Sequence, residues 1–266
     1  MGLSQTPWTG DFAPFKIWGN LYFVGTEGAS THILDTGEGL IMFDSGYQES
    51  LYLVIHHMNM LGLDIKDVKY IFHTHGHIDH AGATAAIKKM IDTKAVIGKE
   101  DREYVNGERD LSYAKELGME MIFFEPDILL KDGDVIKLGN ANIRAIATPG
   151  HTEGAMSYVF NVTDGKEEYV AGLHGGMGIN TMNREFLDKY GLSYDCRDKF
   201  KWAMNRLKEE KVDIFLGNHM QHNNTAKKAE EIKNGNEKAF INPSEWAEYA
   251  EWAKQNLINL MEKENF

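Results

Sequence analysis

The stretch Thr74-His75-Gly76-His77-Ile78-Asp79-His80 puts three histidines and an aspartate within six positions. Imidazole nitrogen and carboxylate oxygen are the donors that suit zinc and similar borderline metals. Core packing gives no reason to crowd such groups into one turn, so the cluster reads as a metal cradle. On non-helical backbone His75 and His77 project to the same side. Asp79 and His80 fall at a predicted helix start, where backbone amides favour a carboxylate. The turn can therefore present two ligand pairs to two neighbouring points.

Other histidines sit in comparable places. His151 follows a predicted strand, beside the Pro-Gly break of Thr148-Pro149-Gly150-His151-Thr152, and is a further candidate ligand. His219 lies just past another predicted strand, with Gln221 and His222 next to it as candidate substrate contacts or supports. His174 sits in the glycine-rich turn 171–178, where backbone can approach a ligand closely. It can be a ligand, a substrate contact or a packed turn residue. That turn lacks the Gly-Lys-Ser/Thr ending of a phosphate loop. Asp44 closes an apolar run and is expected to hold a neighbouring loop or cap a turn. His56 and His57 have no polar company in sequence and read as packing or surface residues.

The elements that must position these groups follow from periodicity. Short β-rich runs punctuated by glycine at 21–24, 30–35 and 39–43 predict a meander. A helix is expected over 49–61 and a strand over 69–72. A helix over 79–92 follows the histidine turn, with apolar Ala81, Ala85, Ala86, Ile87 and Met90 on one face. Further strands are expected at 94–97, 121–124, 135–138, 143–147, 156–160, 169–171 and 212–216. Helices are expected over 100–117, 199–210 and 225–233. Residues 180–195 have weak periodicity and read as an excursion covering the site. The closing helix, about 243–263, begins at Asn242-Pro243-Ser244-Glu245. Asn242 is its expected cap, with Pro243 in the first turn and Glu245 reaching back. This alternation suits two packed sheets with helices outside. One domain over 1–266 with a short N-terminal extension, 1–20, is the simplest organisation.

Composition narrows the function. A net charge of −12 argues against nucleic acid, whose phosphates need basic surface. No stretch has the apolar length of a membrane span, and no signal peptide is visible, so a cytoplasmic location is expected. The single cysteine, Cys196, forms no internal disulfide and reads as an exposed or structural thiol. A small-molecule substrate is the expected partner, and a homo-oligomer is compatible with everything above.

The ordered set His75-x-His77-x-Asp79-His80, then His151, then His219 resembles the metallo-β-lactamase superfamily. Phe43-Asp44-Ser45-Gly46 and the phrase 148–152 share in that resemblance, which runs from about Leu21 to the closing helix. It implies an α/β (α+β) fold, the αββα sandwich of two mixed β-sheets with helices on both outer faces. It implies two zinc ions per chain, although iron or manganese would also suit such donors. Carried over by position, His75, His77 and His151 hold one ion, Asp79, His80 and His219 the other, and Asp44 is the structural aspartate nearby. Many hydrolases of this superfamily carry a bridging aspartate where this chain reads Tyr169-Val170-Ala171-Gly172-Leu173-His174. Its loss moves the resemblance toward the third subclass of β-lactamases, whose sites use only histidine and aspartate. Those enzymes carry a serine about where His174 falls, so His174 is expected to add a ligand, narrow the pocket or contact substrate.

The implied chemistry is attack of a metal-generated hydroxide on a carbonyl, with Asp79 carrying the proton. A β-lactamase-like activity is the first expectation. A cytosolic lactone, ester or thioester hydrolase is the alternative, and a non-catalytic metal-binding sensor the third. The nucleases of the superfamily are disfavoured by the charge. Its flavodiiron branch is disfavoured because His77 stands where that branch has glutamate, and its persulfide dioxygenases by the missing bridge.

Overall fold

The computed structural model of the protein describes residues 10–265. Its strands are β1 Phe15–Trp18, β2 Leu21–Phe23, β3 His32–Asp35, β4 Leu40–Phe43, β5 Val68–Phe72, β6 Lys94–Gly98, β7 Ile128–Leu130, β8 Val135–Leu138, β9 Ala141–Ala147, β10 Met156–Thr163, β11 Glu168–Leu173 and β12 Ile214–Leu216. Its helices are α1 Leu51–Met60, α2 Ile78–Ala81, α3 Thr84–Met90, α4 Arg102–Asn106, α5 Arg184–Tyr190, α6 Cys196–Leu207, α7 Thr225–Lys233 and α8 Glu245–Lys263.

Strands β1 to β7 lie in sequence order in one sheet, antiparallel up to β4 and parallel from β4 onward. The second sheet has the order β12-β11-β10-β9-β8, with only β11 and β12 parallel. Both sheets are therefore mixed, as expected. Their facing sides supply the main core, including Phe23, Phe43, Phe72, Tyr158 and Phe160. The Phe43 and Phe160 rings stack across the layers at 4.6 Å, a contact worth about 1 kcal/mol beyond its buried area. A second apolar layer packs α6 and α8 on the outer face of the smaller sheet, through Phe200, Met204, Trp246 and Leu257. A third packs α1 and α3 on the larger sheet, through Val54, Met58 and Ile87. No helix of the described residues is long and apolar enough to cross a membrane.

Several expectations are corrected. The N-terminal extension is shorter than 1–20, because β1 pairs with β2 inside the large sheet; residues 1–9 lie outside the described residues. The helix expected over 79–92 breaks into α2 and α3. The loop after β4 takes over its backbone groups: Ser45 N–H donates to the His80 carbonyl at 2.7 Å, and Ala83 N–H to the Gly46 carbonyl at 3.0 Å. Within 100–117 the only α-helix is the short α4, with a 3-10 turn later at Lys115–Leu117. Gly107, at φ +85°, ends α4, and the following loop docks on the histidine turn through Ile78 N–H and the Ser112 carbonyl, 2.8 Å. Residues 121–124 form no strand. Met121 and Phe124, three apart, both bury toward the core, a spacing that strand alternation does not give. The strand is 128–130 instead. At α8, Asn242 Oδ1 accepts from Ser244 N–H at 3.2 Å, but Glu245 turns away from the backbone to pair with Lys228 on α7.

Candidate metal centre

The histidine turn leaves the carboxyl end of β5 and is fastened from both sheets. Tyr158 of β10 donates its hydroxyl to the His73 carbonyl at 2.6 Å, and Met156 N–H donates to the Thr74 carbonyl at 2.8 Å. Asp44, just past β4 and at φ +55°, points both carboxylate oxygens at the same turn. Its Oδ1 accepts from Thr74 N–H at 2.7 Å, and its Oδ2 from Thr74 Oγ1 and His80 Nδ1, each at 2.8 Å. Asp44 thus does what the sequence suggested, holding a neighbouring loop.

The candidate donor atoms converge. Donor atoms of His75, His77 and His151 lie within 4.8 Å of one another, as do those of His75, Asp79 and His80. Asp79 Oδ2 is 3.2 Å from His80 Nε2 and 3.4 Å from His219 Nε2. All six residues expected as ligands therefore meet at one edge of the sandwich, and His75 stands between the two groups. His151 is brought in by the loop after β9 and His219 by the loop after β12. Close approach to His151 requires Gly176, where a Cβ would lie 2.1 Å from His151 Cδ2.

Acceptors inside the protein fix the ring tautomers. His80 Nδ1 faces Asp44. His75 Nδ1 lies 3.0 Å from Thr74 Oγ1, which itself donates to Asp44. His151 Nδ1 faces the Gly178 carbonyl at 2.8 Å, and His219 Nδ1 the Gly28 carbonyl at 2.9 Å. With each Nδ1 carrying the proton, the Nε2 lone pair is turned inward, the arrangement metal-binding histidines require. Nε2 of His75 is buried without a hydrogen-bond partner, and Nε2 of His80, also buried, has only the Asp79 carboxylate beside it, at 3.2 Å. Buried polar atoms left in that state are costly, and a metal ion is the partner that would satisfy them.

Electrostatics agree with this donor set at all but His80, which, against its burial, Asp79 and Asp44 raise to about 10. Burial, then the neighbouring histidines, holds His75 and His77 well below the ordinary histidine range, so both are neutral. Burial lowers His151 to about 4 and lowers His219 as well. Burial opposes ionisation of Asp79, yet His80, His219 and His77 around it drive its pKa far down, and it stays a carboxylate.

A cavity of about 420 Å³ opens over these ligands, lined by Tyr47, Tyr113, Asn180, Gln221 and His222 among others. Gln221 and His222 both line it. His174 does not. It is fully buried, its ring stacked on Trp246 at 3.7 Å and edge-on to Phe215 at 4.9 Å, and it is not among the residues lining the cavity. The expectation that it ligates a metal or touches substrate is corrected: aromatic neighbours from β12 and α8 claim its ring. His57 is also buried, bonded to the Val24 carbonyl at 3.0 Å, and far from this chemistry in role.

Sequence reasoning missed Asp101. This buried carboxylate accepts from Gly76 N–H at 2.8 Å, Thr152 Oγ1 at 2.7 Å and Gly154 N–H at 2.6 Å. It ties the His75–His77 turn to the His151 loop. Burial raises it to about 6 against the pull of those hydrogen bonds. In sequence it is one acid in Lys99-Glu100-Asp101, with no mark of its role. Tyr113 was missed too. It holds a left-handed backbone, φ +63°, and sets its ring 5.4 Å from that of His77.

Comparison with known proteins agrees with this geometry. The family model described as the metallo-β-lactamase superfamily matches residues 24–164. The fold superposes on BJP-1, a subclass B3 metallo-β-lactamase of Bradyrhizobium japonicum, with a TM-score of 0.88, 30% identity and 97% of each chain covered. It superposes on native FEZ-1 of Legionella gormanii with a TM-score of 0.88, 26% identity, and 96% of this chain and 98% of that one covered. A hydroxyacylglutathione hydrolase of Maricaulis maris is 33% identical over 91 residues, 34% of this chain and 28% of that protein. A protein of Aquifex aeolicus is 29% identical over 119 residues, 45% of this chain and 52% of that protein. The chain thus spans about half or less of the length of these two curated relatives. On the matched family, the shared fold and the converging histidines, this chain belongs to the metallo-β-lactamase superfamily.

Proposed function

We propose that this protein is a metal-dependent hydrolase that cleaves a carbonyl C–N or C–O bond in a small molecule. His75, His77 and His151 would hold one ion, and Asp79, His80 and His219 a second. The observation that carries this reading is the orientation of the rings. Nδ1 of His75, His80, His151 and His219 each lies within 3.0 Å of an acceptor, which leaves their Nε2 atoms to bind metal. When bound, zinc lowers the pKa of water to about 7 and polarises a carbonyl oxygen; iron or manganese would suit the same donors.

The chain's own groups do the rest. Asp79, kept ionised by the histidines around it, would accept a proton from water and pass it to the leaving atom. Asp44 and Asp101 keep the two histidine loops in register, so that little reorganisation is needed during reaction. Tyr47, Tyr113, Asn180 and Gln221 offer neutral hydrogen-bonding groups around the substrate.

Two substrate readings have support. Likeness over nearly the whole chain to subclass B3 enzymes supports a β-lactamase-like cyclic amide hydrolase. The matched segment of a hydroxyacylglutathione hydrolase supports an ester, lactone or thioester hydrolase. The test is to strip the protein of metal and titrate zinc back, following hydrolysis of a chromogenic β-lactam, a lactone, an aryl ester and a thioester. Two equivalents of zinc and turnover of at least one class are expected. Tight metal binding with no hydrolysis anywhere in the panel would replace this reading with a metal-binding sensor.

A further inference from the structure

The cavity over the candidate ligands has a neighbour. A second cavity, of about 250 Å³, shares His77 and His151 with it, so the two meet at those rings. The lining of the second cavity divides by burial. Tyr104, Leu111, Phe186 and Leu187 are buried and Leu192 is half-buried, whereas the charged members, Glu100, Glu153, Asp195 and Lys199, are exposed. The space therefore has an apolar interior behind a charged rim. Its buried hydroxyls are spent inside the protein: Thr152 Oγ1 donates to Asp101 at 2.7 Å, and Thr181 Oγ1 to the His151 carbonyl at 2.6 Å. An occupant of the interior thus meets methyl, methylene and ring surface beside the two histidines.

Tyr113 and Phe186 stand at the junction. Tyr113 lines the first cavity and Phe186 the second, and their rings stack at 5.8 Å with 29° between the planes. Tyr113 also lies 5.4 Å from the His77 ring. It holds this place from a left-handed backbone, φ +63°, which a bulky residue rarely adopts and which the surrounding structure must enforce. A cavity of roughly 150 Å³ already holds benzene, so the second space has room for an aromatic ring or an alkyl chain. Burial of apolar surface there is favourable whatever charge the rest of the substrate carries.

We propose, on the hydrolase reading above, that the second cavity is a subsite for an apolar acyl group, and that the Tyr113–Phe186 pair separates it from the cavity over the candidate ligands. The favoured substrates are carbonyl compounds whose acyl side bears an alkyl or aryl group long enough to pass that pair. Phe186, Leu187 and Leu192, all from the excursion 180–195, set how long a group is accepted.

The test gives the zinc-loaded protein 4-nitrophenyl acetate, butyrate and hexanoate, and divides each kcat/KM by the uncatalysed rate constant of that ester. Full burial of one methylene is worth about fourfold, so the hexanoate should exceed the acetate by about tenfold or more. Leu192→Trp, which fills the interior, should remove most of that gain. Capping Cys196, the single cysteine and another lining residue, with N-ethylmaleimide fills the same space in the wild-type protein and should do likewise. A flat chain-length profile, or a gain that survives the filled interior, would overturn the subsite while leaving the hydrolase reading intact. If no ester turns over, the hydrolase reading is what fails. Calorimetry on the zinc-loaded protein then decides the subsite: hexanohydroxamic acid should bind about tenfold tighter than acetohydroxamic acid, and equal affinity would overturn it.

Discussion

Two turns in this molecule look alike in sequence and do opposite work. The turn after β5 carries His75, His77 and His80; the turn after β11 carries His174 among glycines. Both follow a strand and both are buried; burial lowers His75, His77 and His174, while Asp79 and Asp44 raise His80 against its burial. In the first turn the Nδ1 atoms of His75 and His80 find acceptors on Thr74 and Asp44, and the rings face one another at 4.2 Å. In the second the ring lies flat on Trp246 and edge-on to Phe215. What a buried histidine does is thus decided by the atoms that meet its two nitrogens. The strand and the glycines that present it do not decide.

The largest break in this contrast should come from removing a ligand. His77→Ala is expected to lose one metal equivalent and to cut turnover by more than the roughly 10–100-fold that loss of an outer partner costs. Metal analysis of the purified variant beside its kcat/KM reads both quantities. Near-normal turnover with full metal content would remove His77 from the site.

A smaller effect should follow from changing what holds the ligands. Asp44 sits at positive φ, which asparagine tolerates, so Asp44→Asn should keep the backbone. The new amide can accept from Thr74 N–H only by turning its NH2 toward Thr74 Oγ1 and His80 Nδ1. That reverses the His80 tautomer and puts a proton on the nitrogen meant for metal. A 10–100-fold loss of metal affinity is expected, measured by competition with a chromophoric chelator. An unchanged affinity in a variant with a normal circular dichroism spectrum would show that Asp44 braces the loop without setting the ring.

The same contrast explains what could be read before the structure. The converging histidines were legible because each lies just past a strand, and a strand end is visible in a short apolar run. The two mixed sheets were legible for the same reason. Groups whose role depends on partners far along the chain were not. Asp101 serves Gly76 and Thr152, 25 and 51 residues away, and nothing local marks it. His174 meets Trp246 from α8, a residue that sequence could place on a helix face but not over a particular ring. Breaks in regular structure were hidden likewise: α2 and α3 part because the Ser45–Gly46 loop takes their backbone groups, which helix periodicity does not foresee. Residues 100–117 carry helical spacing but spend it on a loop that covers the ligand turn.

The finest test concerns His174 itself, where the contrast predicts an effect on stability and none on metal. Burial lowers its pKa to about 3, against an ordinary 6.5. Between those values the unfolded chain takes up a proton that the folded one refuses, so the unfolded state binds more protons and stability falls as pH falls. The stabilisation is complete above pH 6.5 and is lost as pH drops toward 3, at a slope approaching about 1.4 kcal/mol per pH unit for this one group. Phenylalanine keeps the stacked shape and removes the titration. His174→Phe should therefore flatten the acid limb of a denaturant-derived stability profile between pH 6 and pH 3 while binding zinc in the wild-type stoichiometry. Loss of a metal equivalent, or an acid limb as steep as before, would return His174 to the company of His75 and His80.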